Sequence, residues 1–207
     1  SRKLRDAAER FTRREPLQVV LYALGILVAF TLLSLPWSIY TEYFREHQYG
    51  LSNQSFGQWA GETLISSGLT IVIGAAVLLA IYATIRHAPR SWWLWGAGLM
   101  VAFGAFGALV YPPFIAPLFN DYKPLANPQV REEVLSLARA HGVPANEVYE
   151  FNASKQHSRI SANVAGLGGT MRIALNDNLM QRGSMGEIRM VMAHEIGHYV
   201  LNHVWKG

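Results

Sequence analysis

The sequence predicts an α-helical multi-pass membrane protein joined to an α+β domain. Three observations predict it. Residues 17–40, 64–85 and 92–119 contain no Asp, Glu, Lys or Arg. After Asp121 the continuous apolar runs give way to helix-period and strand-like patterns. A His-Glu-x-x-His pattern falls at residues 194–198, on a stretch with its own helix-start signal. Averages hide this division: the 207 residues are 51% hydrophobic and 15% charged. That composition excludes a disordered chain or a coiled coil. The absence of cysteine excludes disulfides and any zinc site built on thiolates. The net charge of +4 comes from basic residues beside apolar runs, so no nucleic-acid partner is expected.

Residues 1–16 read as a basic flanking arm, with Arg2, Lys3, Arg5, Arg10, Arg13 and Arg14. Residues 17–119 read as a membrane domain. About 20 apolar residues of helix cross the hydrocarbon core, and the three uncharged runs at about 17–40, 64–85 and 92–119 all qualify. Lipid offers the backbone no partners, so each run is expected to be helical. Soluble core helices of this length carry a charged face, which these lack. Trp37, Tyr40, Trp92, Trp93 and Trp95 sit near span ends, where amphipathic rings favour the headgroup layer. Gly98 with Ala102, and Gly104 with Ala108, have the spacing that permits close helix approach. Pro112, Pro113 and Pro117 are expected to end or kink the third span. The arm shares one side of the membrane with loop 86–90; loop 41–63 shares the other with everything after Phe119. The positive-inside rule then puts the polar domain outside the cytoplasm.

Residues 120–207 form the polar domain. Asn127 followed by Pro128 marks a helix start. Val130, Val134, Leu137 and Ala138 supply its apolar face, and Gly142 can close it in a left-handed conformation. Strands are expected at 148–151 and 171–175, with Gly166, Gly168 and Gly169 between them. Ser184 and Glu187 fit a capping box that opens a helix from about 185 to 204. Ile188, Val191, Met192, Tyr199 and Val200 are its apolar positions.

On that helix lie His194, Glu195 and His198. Histidines at i and i+4 share one face one turn apart, so both imidazoles can reach one metal ion, Zn2+ by donor type. Glu195 is placed to act as general base toward a water that zinc makes acidic. A third ligand is not evident. His203 lies about 140° around the helix from His198, and Glu187 is two turns away, roughly 10 Å along the axis. Asp121, Glu150, His157 and Asp177 are possible in principle, with nothing in the spacing to favour one. The chain begins at Ser1, and the third ligand is expected beyond Gly207, in a longer protein truncated here at both ends.

Several further segments carry a resemblance. Residues 46–55 (EHQYGLSNQS), 111–120 (YPPFIAPLFN) and the stretch from Ser154-Lys155 to Leu179 accompany the HEIGH pattern. Together they resemble the CAAX prenyl protease 1 family of integral-membrane zinc metalloendopeptidases, especially its bacterial members. The resemblance implies seven spans around an internal chamber with a gluzincin-like α+β domain, the three spans here being the third to fifth. It implies that His194 and His198 bind zinc, that Glu195 is the base, and that a downstream Glu is the third ligand. It implies a substrate-binding Asn, for which Asn163 is the candidate, and an extended peptide pairing with an edge strand near 161–175. The partners implied are a peptide or protein substrate, membrane-associated or lipidated, and the bilayer of a bacterial inner membrane. The family's catalytic domain faces the cytosol, against the charge count above. Rival readings are a heat-shock-type quality-control protease and a membrane scaffold with a degenerate metal site.

Overall fold

The structure, a computed structural model, describes residues 2–166 and 171–201. The chain forms two compact units, one of Ser1–Tyr49 with Ser55–Gly104 and one of Gly50–Gln54 with Ala105–Gly207.

The first unit is helical. The basic arm holds a helix, α1 (Arg2–Phe11), that rests on α2 (Glu15–Ser38). Leu4 of α1 fills the space beside Gly25, where a Cβ would meet it at 3.1 Å. Pro16 sits in the first turn of α2, where its missing N–H costs no helix bond. α2 continues through a π-helical stretch (Ile39–Phe44) into α3 (Arg45–Gln48). α4 (Phe56–His87) opens on a capping box of Ser55 and Gln58 and packs along α2, with Leu27 seated against Gly74. Arg86 near the end of α4 donates to Glu15 at 2.5 Å. α5 (Trp92–Val110) follows.

Three helical stretches, Glu15–Gln48, Phe56–His87 and Trp92–Leu118, are long and apolar enough to cross a membrane. Their apolar side chains point outward, Leu33 at 81% exposed and Leu64 at 74%. That is the surface a bilayer would cover. Two expectations are corrected here. The expected loop 41–63 shrinks, because polar residues extend both helices beyond the apolar core and Ser55 starts α4 early. The small-residue contact falls at Gly25 and Gly74; a Cβ on Gly98 or Gly104 would meet nothing within 4 Å.

In the second unit the end of the third apolar helix passes through a π-helical turn (Tyr111–Ile115) and a 3-10 turn (Ala116–Leu118). Pro112, Pro113 and Pro117 lack the N–H that an α-helix needs there, so the expected kink is found. A sheet follows. Its strands are β1 (Tyr122–Pro124), β2 (Val148–Phe151), β3 (Ala162–Ala165) and β4 (Arg172–Asn176), in the order β1-β2-β4-β3. β2 and β4 are parallel, and the two outer pairs are antiparallel. β1, three residues long, was not expected as an element; β3 falls within the 161–175 range where an edge strand was expected.

α6 (Pro128–Ala140) is capped by Asn127, whose Oδ1 accepts from Gln129 and Val130 N–H. Gly142 follows it with φ +70°. Leu135 is buried where Leu137 was expected to be, and Leu137 packs only at the edge. A short α7 (Asp177–Arg182) begins at Asn176. α8 (Met185–Val200) opens on the expected Ser184–Glu187 box. Val200 is 45% exposed rather than core-facing, and Ile196 takes the buried position instead. The expected helix beyond residue 201, and Gly168 and Gly169, lie outside the described residues.

One face of the sheet carries Val148, Ala162, Ile173 and Leu175 into a core shared with α6 and α8. The other face carries Tyr149, Phe151 and Ala174. The register explains this: Ala162 pairs with Leu175 and Asn163 with Ala174, so alternate residues share a face.

The Glu187 carboxylate accepts from Ser184 N–H at 2.7 Å, and this bond, with that from the Ser184 hydroxyl, holds it below the ordinary carboxylate range. A lowered folded-state pKa favours folding above the ordinary carboxylate pKa and loses that advantage as pH falls through the lowered value. Ser184→Ala should lower unfolding free energy by about 1 kcal/mol, and Ser184→Asn should largely restore it. Thermal unfolding of the detergent-solubilised protein measures both; an unchanged midpoint in Ser184→Ala would contradict the role given to the box.

Candidate metal centre

The site is built on α8. Ile188, Met192 and Ile196 recur every four residues and are all buried against the sheet. At 100° per residue, His194 and His198 lie two positions beyond Met192 and Ile196, on the opposite side of the helix. Both are exposed, while Glu195 is half-buried. Arg189 pairs with Glu133 of α6 and ties the helix to its neighbour. Core packing on one side thus fixes which side chains the other side presents.

The two imidazoles converge. Nε2 of His198 lies 3.1 Å from Nε2 of His194, with ring centroids 4.7 Å apart and planes at 83°. Two nitrogens at the usual zinc distance of about 2.0–2.1 Å and a tetrahedral angle are about 3.3 Å apart. The pair therefore fits a zinc ion. Without one, a single proton on one Nε2 can make a hydrogen bond across the same gap.

The other described candidates for a ligand do not join the pair. Among the described residues, no three His, Asp or Glu side chains gather as a metal site. Asp177 accepts from Ser154 N–H at 2.9 Å and from the Ser154 hydroxyl. Asp121 accepts from Asn152 at 2.7 Å. Glu187 is held in the capping box. His157 bridges Ser52 through the backbone, in the segment that docks residues 50–54. His203 lies outside the described residues.

Asn163 is not brought to the histidines. It lies on β3, against which α8 packs. Its neighbours Ala162 and Val164 face α8, so the Asn163 side chain points to the other face of the sheet. There it lines a cavity of about 170 Å3 with Tyr111, Tyr122, Tyr149 and Arg172. Among the described residues β3 itself is an outer strand of the sheet.

The segments that carried the resemblance meet in this unit. Asn53 N–H donates to Gln156 C=O at 2.9 Å, and its side chain donates to Ser154 C=O at 2.9 Å. Ser158 N–H donates to Leu51 C=O at 3.0 Å. Asn120 donates to Gln156 Oε1 at 3.0 Å, and Arg172 donates to Pro112 C=O at 3.3 Å. Residues 50–54, 111–120, 154–166 and 171–179 are thus parts of one hydrogen-bonded structure. Sequence reasoning missed Arg172 and Tyr149 as a paired feature, because only the parallel pairing of β2 with β4 sets them side by side.

The family described as "CAAX prenyl protease N-terminal, five membrane helices" matches residues 2–121. Peptidase family M48 matches residues 124–207. An uncharacterized metalloprotease, YhfN, of Bacillus subtilis is 33% identical over 207 residues, 100% of this chain and 48% of that protein. CAAX prenyl protease 1 of Saccharomyces cerevisiae is 30% identical over 87% of this chain and 40% of its own length. The crystal structure of S. mikatae Ste24p superposes with a TM-score of 0.82 at 28% identity, over 91% of this chain and 45% of that one. The chain spans about half, or less, of the length of the curated relatives it matches. With three membrane-length helices leading into an α+β unit that carries the HEIGH helix, the chain belongs to the CAAX prenyl protease family of integral-membrane M48 peptidases.

Proposed function

We propose that this chain carries the zinc-binding and proton-transferring helix of a membrane metalloendopeptidase that processes CAAX-type peptides. The observation that carries the reading is the 3.1 Å approach of the His194 and His198 Nε2 atoms on a capped, core-packed helix. His194 and His198 would hold the ion. Zinc, when bound at such a site, lowers the pKa of a water and polarises a carbonyl. Glu195, one residue on, would take a proton from the attacking water and return it to the leaving amine. The third donor would come from outside the described residues, a Glu by resemblance.

An extended substrate would add along the outer edge of β3, with backbone hydrogen bonds giving affinity. β3 packs beside α8, which supports this placement. Ala162 and Val164 would then offer their backbone on that edge, since Asn163 pairs its backbone with Ala174 and turns its side chain to the cavity behind the sheet. The name of the yeast relative supports the CAAX substrate class. The membrane would be a bacterial inner membrane, with the catalytic unit facing the cytosol, by resemblance.

Two measurements test this on the protein expressed from its natural open reading frame. Zinc analysis should give one ion per chain in the wild type. His194→Ala or His198→Ala should lose most of it, with helix content by circular dichroism unchanged. Full zinc content in both variants would place the ion elsewhere. Glu195→Gln should keep zinc and lose proteolysis by about 10²–10⁴-fold, the range of a general base. Undiminished cleavage by Glu195→Gln would sink the proposed role of the carboxylate.

A further inference from the structure

Behind the sheet, on the face turned away from α8, lies the cavity of about 170 Å3 that Asn163 lines. Its most polar wall is Arg172. This side chain is half-buried and reaches Pro112 C=O at 3.3 Å, with its guanidinium 5.1 Å from the Tyr149 ring centroid. Among the described residues no carboxylate pairs with it, and the Asn163 amide has no side-chain partner. A guanidinium that is partly desolvated and lacks an anion is a poor structural element but a good receptor for an oxyanion.

The rest of the wall narrows the class. Tyr111, Tyr122 and Tyr149 line it. Burial, and then the neighbouring Tyr111, push the Tyr122 hydroxyl above the ordinary tyrosine range, with Arg172 opposing, so Tyr122 remains an O–H donor. The cavity is smaller than a drug-sized pocket of about 300–1,000 Å3, so a compact charged group fits it and a whole organic ligand does not. Tyr111 and Pro112 belong to the turn that ends the third membrane-length helix. On the same segment Phe114 is 70% exposed and Leu118 53% exposed. An oxyanion receptor thus adjoins apolar surface where a membrane helix ends, the setting in which basic pockets take lipid headgroups.

We propose that this cavity binds the phosphate of an anionic lipid, with Arg172 and Asn163 donating to the phosphate and the acyl chains lying on the Phe114–Leu118 surface. The proposal stands apart from the hydrolytic reading, since it uses the opposite face of the sheet from α8. Free inorganic phosphate shares the oxyanion chemistry but gains nothing from the apolar surface.

Native mass spectrometry of the full protein, released from a neutral detergent, tests this with dioleoylphosphatidylglycerol and with dioleoylglycerol, which has the same acyl chains and no phosphate. The wild type should retain one phosphatidylglycerol at least about tenfold better than dioleoylglycerol, as a charge-assisted bond to the phosphate implies. Arg172→Gln should lose that preference by a similar factor, Arg172→Lys should keep part of it, and Asn163→Leu should weaken it. Millimolar inorganic phosphate should not displace the lipid. Equal retention of the two lipids by the wild type would overturn the proposal, whatever the variants do. So would an undiminished preference in Arg172→Gln. Displacement of the lipid by phosphate alone would overturn the lipid assignment in favour of a free anion.

Discussion

The placing of the histidine pair depends on one packing arrangement: Ile188, Met192 and Ile196 of α8 buried in the core of the sheet. Their four-residue spacing locks the roll of the helix about its axis. A roll of one residue, about 100°, would turn an imidazole toward the core and separate the pair from solvent. Held as it is, the helix offers His194 and His198 to the outside and keeps Glu195 half-covered beside them. The capping box at Ser184 sets where the helix starts, and hence the register in which that roll is read. Each restraint is modest by itself, yet both specify the same orientation.

The sheet serves two purposes through its two faces. Ala162 and Val164 on β3 and Ile173 and Leu175 on β4 support α8. The intervening residues, Asn163 and Arg172 among them, line the cavity behind. A period-two alternation therefore separates the side that supports the histidine helix from the cavity proposed to receive an oxyanion, although the same short strands form both. The tyrosine-proline turn that ends the third apolar helix closes that cavity through the Arg172 bond to Pro112.

Much of this was legible in the residues. Uncharged runs foretold three membrane-length helices, because lipid tolerates neither charge nor open backbone. Asn127, Gly142 and the Ser184–Glu187 pair foretold helix boundaries, since a cap is a local bond between near neighbours. The i, i+4 histidines foretold a shared donor pair, which helix geometry alone brings together. Long-range pairings were not legible. Nothing local says that β2 and β4 run parallel, so the Arg172–Tyr149 contact could not be foreseen. Asn163 was read by motif, and only its register with Ala174 reveals the face it occupies. The basic arm read as a flank because its charges hide a helix whose single buried residue is Ala8.

The central claim is that His194 and His198 share one zinc ion. X-ray absorption at the zinc edge, on protein made from the natural open reading frame and purified without chelators, tests it most directly. The account predicts a first shell of nitrogen and oxygen donors at about 2.0–2.1 Å, with the multiple-scattering signature of two imidazoles and no sulfur. A shell without imidazole scattering, or one left unchanged in the His194→Ala protein, would contradict it.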